Sequence, residues 1–293
     1  MKDAARLLAY LAAVLLFGAL AAPPLYWAGH SLGESGRLAF LAQIDFERFF
    51  HRALLVGALI FFWPLLRALR IRSWRELGLV RNERAARDVA IGFAAAAIPL
   101  LCFAVVLLGC GVYSLRGSVG VGVLLGRSIS AIVVPFIEEP LFRGLILGVL
   151  LRACSPTLAI FFTSAFFSVL HFLKAPPDTS AVVNWSSGFV SIAHAFQQFT
   201  EPLLVLAGFT TLFLLGWILA DARLRTRSLW LPIGLHGGWI FISAIFNKLA
   251  RRELELLPWL GQSLLIGLAP LALGLLTWAI VRAWIRHVES PIA

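Results

Sequence analysis

The chain has 293 residues, of which 60% are hydrophobic and 14% charged, and its mean hydropathy is +0.89. Soluble domains are about 25% charged and 45–50% apolar, so this composition excludes an ordinary soluble domain and favours a membrane protein. The net charge of +10 fits Arg-rich loops beside anionic lipid, and we expect no nucleic-acid partner. Cys102, Cys110 and Cys154 lack CxxC spacing, so neither a disulfide framework nor a zinc ribbon is indicated.

Hydrophobic runs long enough to cross a bilayer predict an all-α fold, a polytopic transmembrane bundle of about eight spans. The predicted spans are 7–28, 52–67, 89–113, 121–150, 156–173, 203–220, 229–247 and 258–282. The first follows Lys2 and Arg6 and contains "ALAAPP", which also fits a cleaved signal peptide. Because its apolar stretch is longer than a usual signal core, we favour an uncleaved helix.

Charge asymmetry predicts the orientation of these spans. Basic residues gather at the N-terminus, in the connection 68–88 and in the connection after residue 220. The positive-inside rule therefore places both termini in the cytoplasm, and the composition suits the inner membrane of a bacterium. The connection 174–202 could be an exposed loop, a re-entrant segment or a lid over a site.

One span contains the sequence "FIEEPLFRG", residues 136–144, which puts three ionisable groups into apolar surroundings. Each charge costs roughly 2.5–3.5 kcal/mol at the bilayer centre if it has no partner. Glu139 and Arg143 are four residues apart, the favourable spacing for an ion pair on a helix. Glu138 points about 100 degrees away and lacks this partner. Pro140 removes a backbone donor and predicts a kink. Glu138 is therefore the candidate for chemistry, and the Glu139–Arg143 pair for structural support.

Two later spans contain histidines, His171 in "FFSVLHF" and His236 in "LPIGLHGGWIF". Glu138 lies about 21 Å before the turn near Arg152, and His171 about 26 Å after it, so we expect similar depths. His236 is only about 14 Å beyond Arg227 and matches this depth less well. Glycines next to His236 permit close helix approach.

Several membrane-protease chemistries lack their residues here. The chain has no HExxH zinc motif, no pair of aspartates within spans and no GxSG serine within a span. Glutamate and histidine remain, without an evident nucleophile.

These residues resemble the CPBP intramembrane protease family, which includes the type II CAAX prenyl endopeptidases and Abi proteins. Its EExxxR motif corresponds to Glu138, Glu139 and Arg143, and its FxxxH motif to Phe167 and His171. A histidine in a later helix corresponds to His236. The resemblance covers roughly 120–247, so we divide the chain into N-terminal helices with a basic loop (1–119), a peptidase core (120–247), and a C-terminal helix and tail (248–293).

The resemblance implies a fold and a set of roles. Glu138 would activate water for attack on a peptide carbonyl, His171 would orient that water or move its proton, and His236 would stabilise the oxyanion. The substrate would be a membrane-embedded or lipidated peptide. We expect a reaction without a metal; if zinc binds, its ligands would be Glu138, His171 and His236.

One position departs from the family pattern. Ile240 stands where an asparagine often follows the histidine by four residues, although Ser243 and Asn247 lie further along the same helix face. This departure keeps open a non-catalytic immunity or scaffold protein of the same fold. Buried Glu and His also occur in proton-coupled transporters, the second alternative.

Overall fold

The computed structural model describes residues 2–80, 82–172, 182–261 and 263–289. Within these residues the chain forms nine α-helices and one antiparallel ribbon of two three-residue strands. The all-α prediction is therefore confirmed. In chain order, the elements are α1 (Lys2–Glu34), α2 (Phe46–Ala68), α3 (Ala85–Gly109), β1 (Tyr113–Leu115), α4 (Val121–Leu150), α5 (Pro156–Phe172), α6 (Ser187–His194), α7 (Pro202–Thr226), α8 (Trp230–Leu249), β2 (Ala250–Arg252) and α9 (Leu268–Glu289).

Six of the described helices, α1, α2, α3, α4, α7 and α9, are long and apolar enough to cross a membrane. The other two predicted spans are also helical: α5 is a shorter apolar helix and α8 has 20 residues. The protein is therefore a multi-pass membrane protein. The eighth predicted span was placed too early, because residues 258–261 and 263–267 are not α-helical and α9 begins at Leu268. Pro258 and Gly267, whose φ is +136°, break the helix there.

The chain divides into two compact units. The first comprises Met1–Arg72 and Leu173–Glu201, and the second Ser73–Phe172 and Pro202–Ala293. The domain boundaries predicted at residues 119 and 247 were placed from sequence motifs and do not describe how the chain packs. The division into three domains stays a prediction. Part of the connection 174–202, for which a lid was one prediction, lies outside the described residues.

In the first unit, α1 and α2 pack through small residues. Gly18 lies against Leu54, and Gly57 lies against Phe17. The Tyr10 hydroxyl donates to the carbonyl oxygen of Ala58 at 3.0 Å. Lipid is as apolar as leucine, so the hydrophobic effect does not drive helices to associate in a membrane. Small residues instead allow the helices to approach closely and pack.

In the second unit, α8 is enclosed by α3 and α4 through its own glycines. A methyl group at Gly238 would lie 2.6 Å from the Phe93 carbonyl oxygen on α3. One at Gly237 would lie 3.1 Å from the Ala131 carbonyl oxygen on α4. These contacts fix the helix segment next to His236.

The predicted kink at Pro140 is a widened turn. Residues Pro140–Ile146 form a π-helical turn inside α4, in which the Leu147 N–H donates to the Phe142 carbonyl five residues back. Such turns re-aim side chains and often lie at functional sites. Here the turn directly follows Glu138 and Glu139.

Candidate active site

Glu139 and Arg143 form a fully buried ion pair at the widened turn. Arg143 Nη1 donates to Glu139 Oε1 at 2.9 Å, and both side chains have 0% exposure. Arg143 Nη2 also donates to the Gly216 carbonyl on α7 at 3.3 Å. The pair predicted from the four-residue spacing is present, and it ties α4 to α7.

His236 is bonded to the same carboxylate. Its Nδ1 lies 2.7 Å from Glu139 Oε1. Because Glu139 already accepts from Arg143, the carboxylate is the acceptor and the Nδ1–H of His236 is the donor. Sequence analysis missed this contact, which joins residues 97 positions apart. The only signal for it was the glycine pair after His236.

His171 is oriented by its own helix. Its Nδ1 lies 2.9 Å from the Phe167 carbonyl oxygen one turn earlier. A carbonyl oxygen only accepts, so Nδ1 carries the proton and donates. Nε2 is then the free nitrogen of the neutral ring. It faces Glu138 Oε2 at 3.4 Å.

The two histidines predicted to be reactive both face Oε2 of Glu138, the third predicted residue. His171 Nε2 lies 3.4 Å and His236 Nε2 3.9 Å from this oxygen. Both rings donate through Nδ1, so in their neutral forms they present two nitrogen lone pairs to a carboxylate oxygen. This arrangement of acceptors is favourable only with an added proton or a donor such as water between the groups.

Exposure separates the two glutamates. The Glu138 side chain is 25% exposed and that of His171 29%, whereas Glu139 and Arg143 are completely enclosed. Oε2 of Glu138 is itself buried, so a reactant reaches Glu138 through the rest of its side chain, whereas it cannot reach Glu139. The more accessible carboxylate is thus Glu138, for which the sequence predicted no ion-pair partner.

Phe167 connects the buried pair to the histidines. The guanidinium carbon of Arg143 lies 4.3 Å from the centre of the Phe167 ring, a cation–π contact. The His171 ring centre lies 4.1 Å from it, and that of His236 6.0 Å. Phe167 is thus a common packing surface for three of the polar side chains.

The remaining predicted residues lie further along α8. Ser243 and Asn247 are partly buried, seven and eleven residues beyond His236, or about 10 Å and about 16 Å along the helix axis. The helix therefore carries both away from Glu138. Ile240, one turn beyond His236, is also partly buried and offers no polar group.

A metal ion bound between Glu138 and the two histidines would require three ligand atoms at matching distances. Among the described residues, no group of three His, Cys, Asp or Glu side chains is placed to hold a metal ion. Ligands of tetrahedral zinc, at about 2.1 Å from the ion, are about 3.4 Å apart. The Glu138–His171 separation equals this value, but the Glu138–His236 separation of 3.9 Å exceeds it.

Part of the chain matches a known protein family. Residues 121–242 match the family model described as "Type II CAAX prenyl endopeptidase Rce1-like". The chain is therefore similar to this family over about two fifths of its length. The match begins with α4 and ends within α8, and it includes Glu138, Glu139, Arg143, Phe167, His171 and His236. No curated protein and no solved structure matches the chain. The family indicates a hydrolase of the protease kind, as the motifs did.

Proposed function

We propose that the protein is an intramembrane endopeptidase in which Glu138 activates water to hydrolyse a peptide bond of a membrane-associated or lipid-modified substrate. The observation that carries this proposal is the contrast between the two glutamates. Glu139 is enclosed and bonded to Arg143 and His236, whereas Glu138 is partly exposed and faces two histidine nitrogens. The first arrangement suits support, and the second suits proton transfer.

In the proposed reaction, Glu138 accepts a proton from water while the water oxygen attacks the carbonyl carbon of the scissile bond. A tetrahedral oxyanion forms. Glu138 then delivers the proton to the leaving nitrogen, the C–N bond breaks, and the products are a carboxylic acid and an amine. Glu138 is ionised again once it has delivered this proton, and the new carboxylic acid separately loses its own proton to solvent.

His171 would position the attacking water. Its Nδ1–H is committed to the Phe167 carbonyl, so the neutral ring offers only the Nε2 lone pair, directed at Glu138. A water between them can donate one hydrogen to each acceptor. Its oxygen lone pair is then directed away from both groups and towards a bound carbonyl.

His236 would stabilise the oxyanion. Because Nδ1–H donates to Glu139, the ring must be doubly protonated to donate from Nε2 as well. One oxyanion donor of this kind lowers the barrier by about 3 kcal/mol.

We further propose that the reaction needs no metal; its support is that His236 Nε2 and Glu138 Oε2 lie 3.9 Å apart, further than the about 3.4 Å between ligands of one tetrahedral zinc ion. If zinc entered, Glu138, His171 and His236 would be its ligands, and it would acidify a bound water. Cleavage after dialysis against a chelator tests this directly.

We place the protein in the cytoplasmic membrane of a bacterium, with both termini in the cytoplasm. The support is the concentration of arginines in the connection 68–88 and around the end of α7. Reporter fusions to the C-terminus, one active only in the cytoplasm and one only outside it, test the orientation. Activity of the external reporter would contradict it.

A non-catalytic scaffold of the same fold is the second candidate, because Ile240 leaves His236 without a polar neighbour one turn away. The two candidates differ in their dependence on Glu138, since a scaffold should function with Gln at this position.

Comparative peptidomics of membranes from the native host separates them. Cells carrying wild type are compared with cells carrying Glu138→Gln, and with Glu255→Gln as a matched control, since Glu255 is 84% exposed. We expect one or more fragments to vanish with Glu138→Gln and to persist with the control. Identical fragment sets in all three strains would contradict the peptidase proposal.

A further inference from the structure

A cavity lies in the same unit, away from the candidate active site. It has a volume of about 420 Å³ and is formed by the start of α5, the last third of α7 and the stretch of α9 from Trp278 to Arg282. Its wall at α5 includes Ile160, eleven residues before His171, or about 16 Å along the helix. None of the residues assigned to the peptidase reaction lines this cavity.

Asp221 organises the polar wall of this cavity. Its carboxylate accepts hydrogen bonds from Trp278 Nε1 at 2.8 Å, Arg225 Nε at 3.0 Å and Arg282 Nε at 3.1 Å. The Arg282 guanidinium carbon also lies 4.4 Å from the centre of the Trp278 ring. Two arginines from different helices are thus held side by side at the cavity.

Arg225 and Arg282 together carry an excess positive charge and several N–H donors without a hydrogen bond. One carboxylate faces two guanidinium groups, which leaves a net charge of +1 in this cluster. Within the described residues, both Nη groups of Arg225 and Nη1 of Arg282 make no hydrogen bond to the protein. Their side chains are 39% and 34% exposed, so a ligand can reach them. The positive end of the α5 dipole adds to the attraction for an anion.

The other wall of the cavity is apolar. Ile160, Trp217 and Leu224 line it, on helices that are themselves apolar enough for the bilayer. Arg225 lies in the last turn of α7, and Arg282 lies seven residues before the end of α9, about 10 Å along the helix. A ligand that fits must therefore carry an anionic group next to a hydrocarbon part.

We propose that this cavity binds an anionic glycerophospholipid. Its phosphate would accept from the free Nη groups of Arg225 and Arg282, and an acyl chain would lie on the apolar wall. Basic pockets between helix ends on the cytoplasmic side are sites of this kind. The bound lipid would join α5, which carries His171, to α7 and α9. The proposal is independent of the peptidase reaction.

Native mass spectrometry of the purified full-length protein tests the proposal. The protein in detergent is titrated with dioleoyl phosphatidylglycerol and, separately, with dioleoyl phosphatidylcholine. We expect preferential binding of phosphatidylglycerol. The double variant Arg225→Gln, Arg282→Gln should weaken it by roughly fivefold per arginine, roughly 25-fold in all. Arg84→Gln removes an exposed arginine elsewhere and should leave the binding unchanged.

The double variant leaves Asp221 with fewer partners and could fail to fold, so a third variant keeps the test decisive. Thr157→Trp fills the cavity mouth from α5 without removing any Asp221 contact, and it should also lose the preference for phosphatidylglycerol. Equal binding of the two lipids by wild type, unchanged binding by Thr157→Trp, or an equal loss in Arg84→Gln would overturn the proposal. Full competition by glycerol 3-phosphate would overturn it in favour of a soluble phosphate ligand.

Discussion

The buried pair of Glu139 and Arg143 allows the sharpest stability prediction. Replacing Arg143 by Met removes the donor to Glu139 Oε1 at 2.9 Å and the donor to the Gly216 carbonyl at 3.3 Å. The carboxylate stays enclosed, with His236 as its remaining partner. Removing one partner of a buried pair costs about 3–5 kcal/mol, because the other charge is left without compensation.

A double-mutant cycle measures this coupling. Glu139→Gln should destabilise by a similar amount, since it leaves the Arg143 guanidinium buried and unpaired. The double variant should lose less than the sum of the two single losses, because it leaves neither charge alone. Thermal unfolding in detergent, followed by tryptophan fluorescence, gives the differences. For a chain of this size we expect each single variant to melt at least about 6 °C lower. Additive losses, or single variants within about 1 °C of wild type, would refute the argument that the pair acts as a unit.

Three further outcomes follow from the same structure. Gly144→Ala should destabilise the protein by about 1–3 kcal/mol, because the added methyl would lie 2.8 Å from the Leu77 carbonyl oxygen. Gly148→Ala is the control: its added methyl would have no atom within 4 Å, so it should be neutral or stabilising. Equal melting temperatures of the two variants would contradict this prediction. His236→Gln should lower kcat by about 10²–10³-fold, because the variant loses the proposed oxyanion donor; an unchanged kcat would remove His236 from the oxyanion role. Dialysis against a chelator should leave kcat unchanged, and loss of activity restored by zinc would show that a metal is required.

Local geometry made part of the site predictable. The four-residue spacing of Glu139 and Arg143 places both on one helix face, and that contact depends only on α4. Pro140 likewise predicted a break in the regular helix. The sequence did not predict that this break would be a π-helical turn. His171 could be matched in depth to Glu138 because a short turn joins their two helices.

Long-range contacts were not predictable in the same way. His236 was expected at a different depth, since it lies six residues into α8, whereas Glu138 lies twelve residues before the end of α4. The structure nevertheless places His236 Nε2 3.9 Å from Glu138 Oε2. The bond of His236 to Glu139 also depends on glycine contacts between α8 and its neighbours, whose partners only the folded chain reveals.

Asp221 is a second residue whose contacts could not be predicted from the sequence. In the sequence it is one acidic residue at a helix end among arginines, a pattern that usually indicates a solvated surface. In the structure it joins α7 to α9 through Arg282 and Trp278, which are about sixty residues away in the chain. Only that tertiary contact distinguishes an organised cavity wall from a charged helix terminus.

The central claim is that Glu138 is the base that activates water. The most direct measurement is cleavage of the peptide found by membrane peptidomics, with purified wild type and purified Glu138→Gln in proteoliposomes, and with the melting temperature of each protein recorded beside the rate. We predict a loss of about 10²–10⁴-fold in kcat at an unchanged melting temperature, because the Glu138 side chain makes no contact on which the buried pair depends. A Glu138→Gln protein that cleaves the peptide at the wild-type rate would contradict the account.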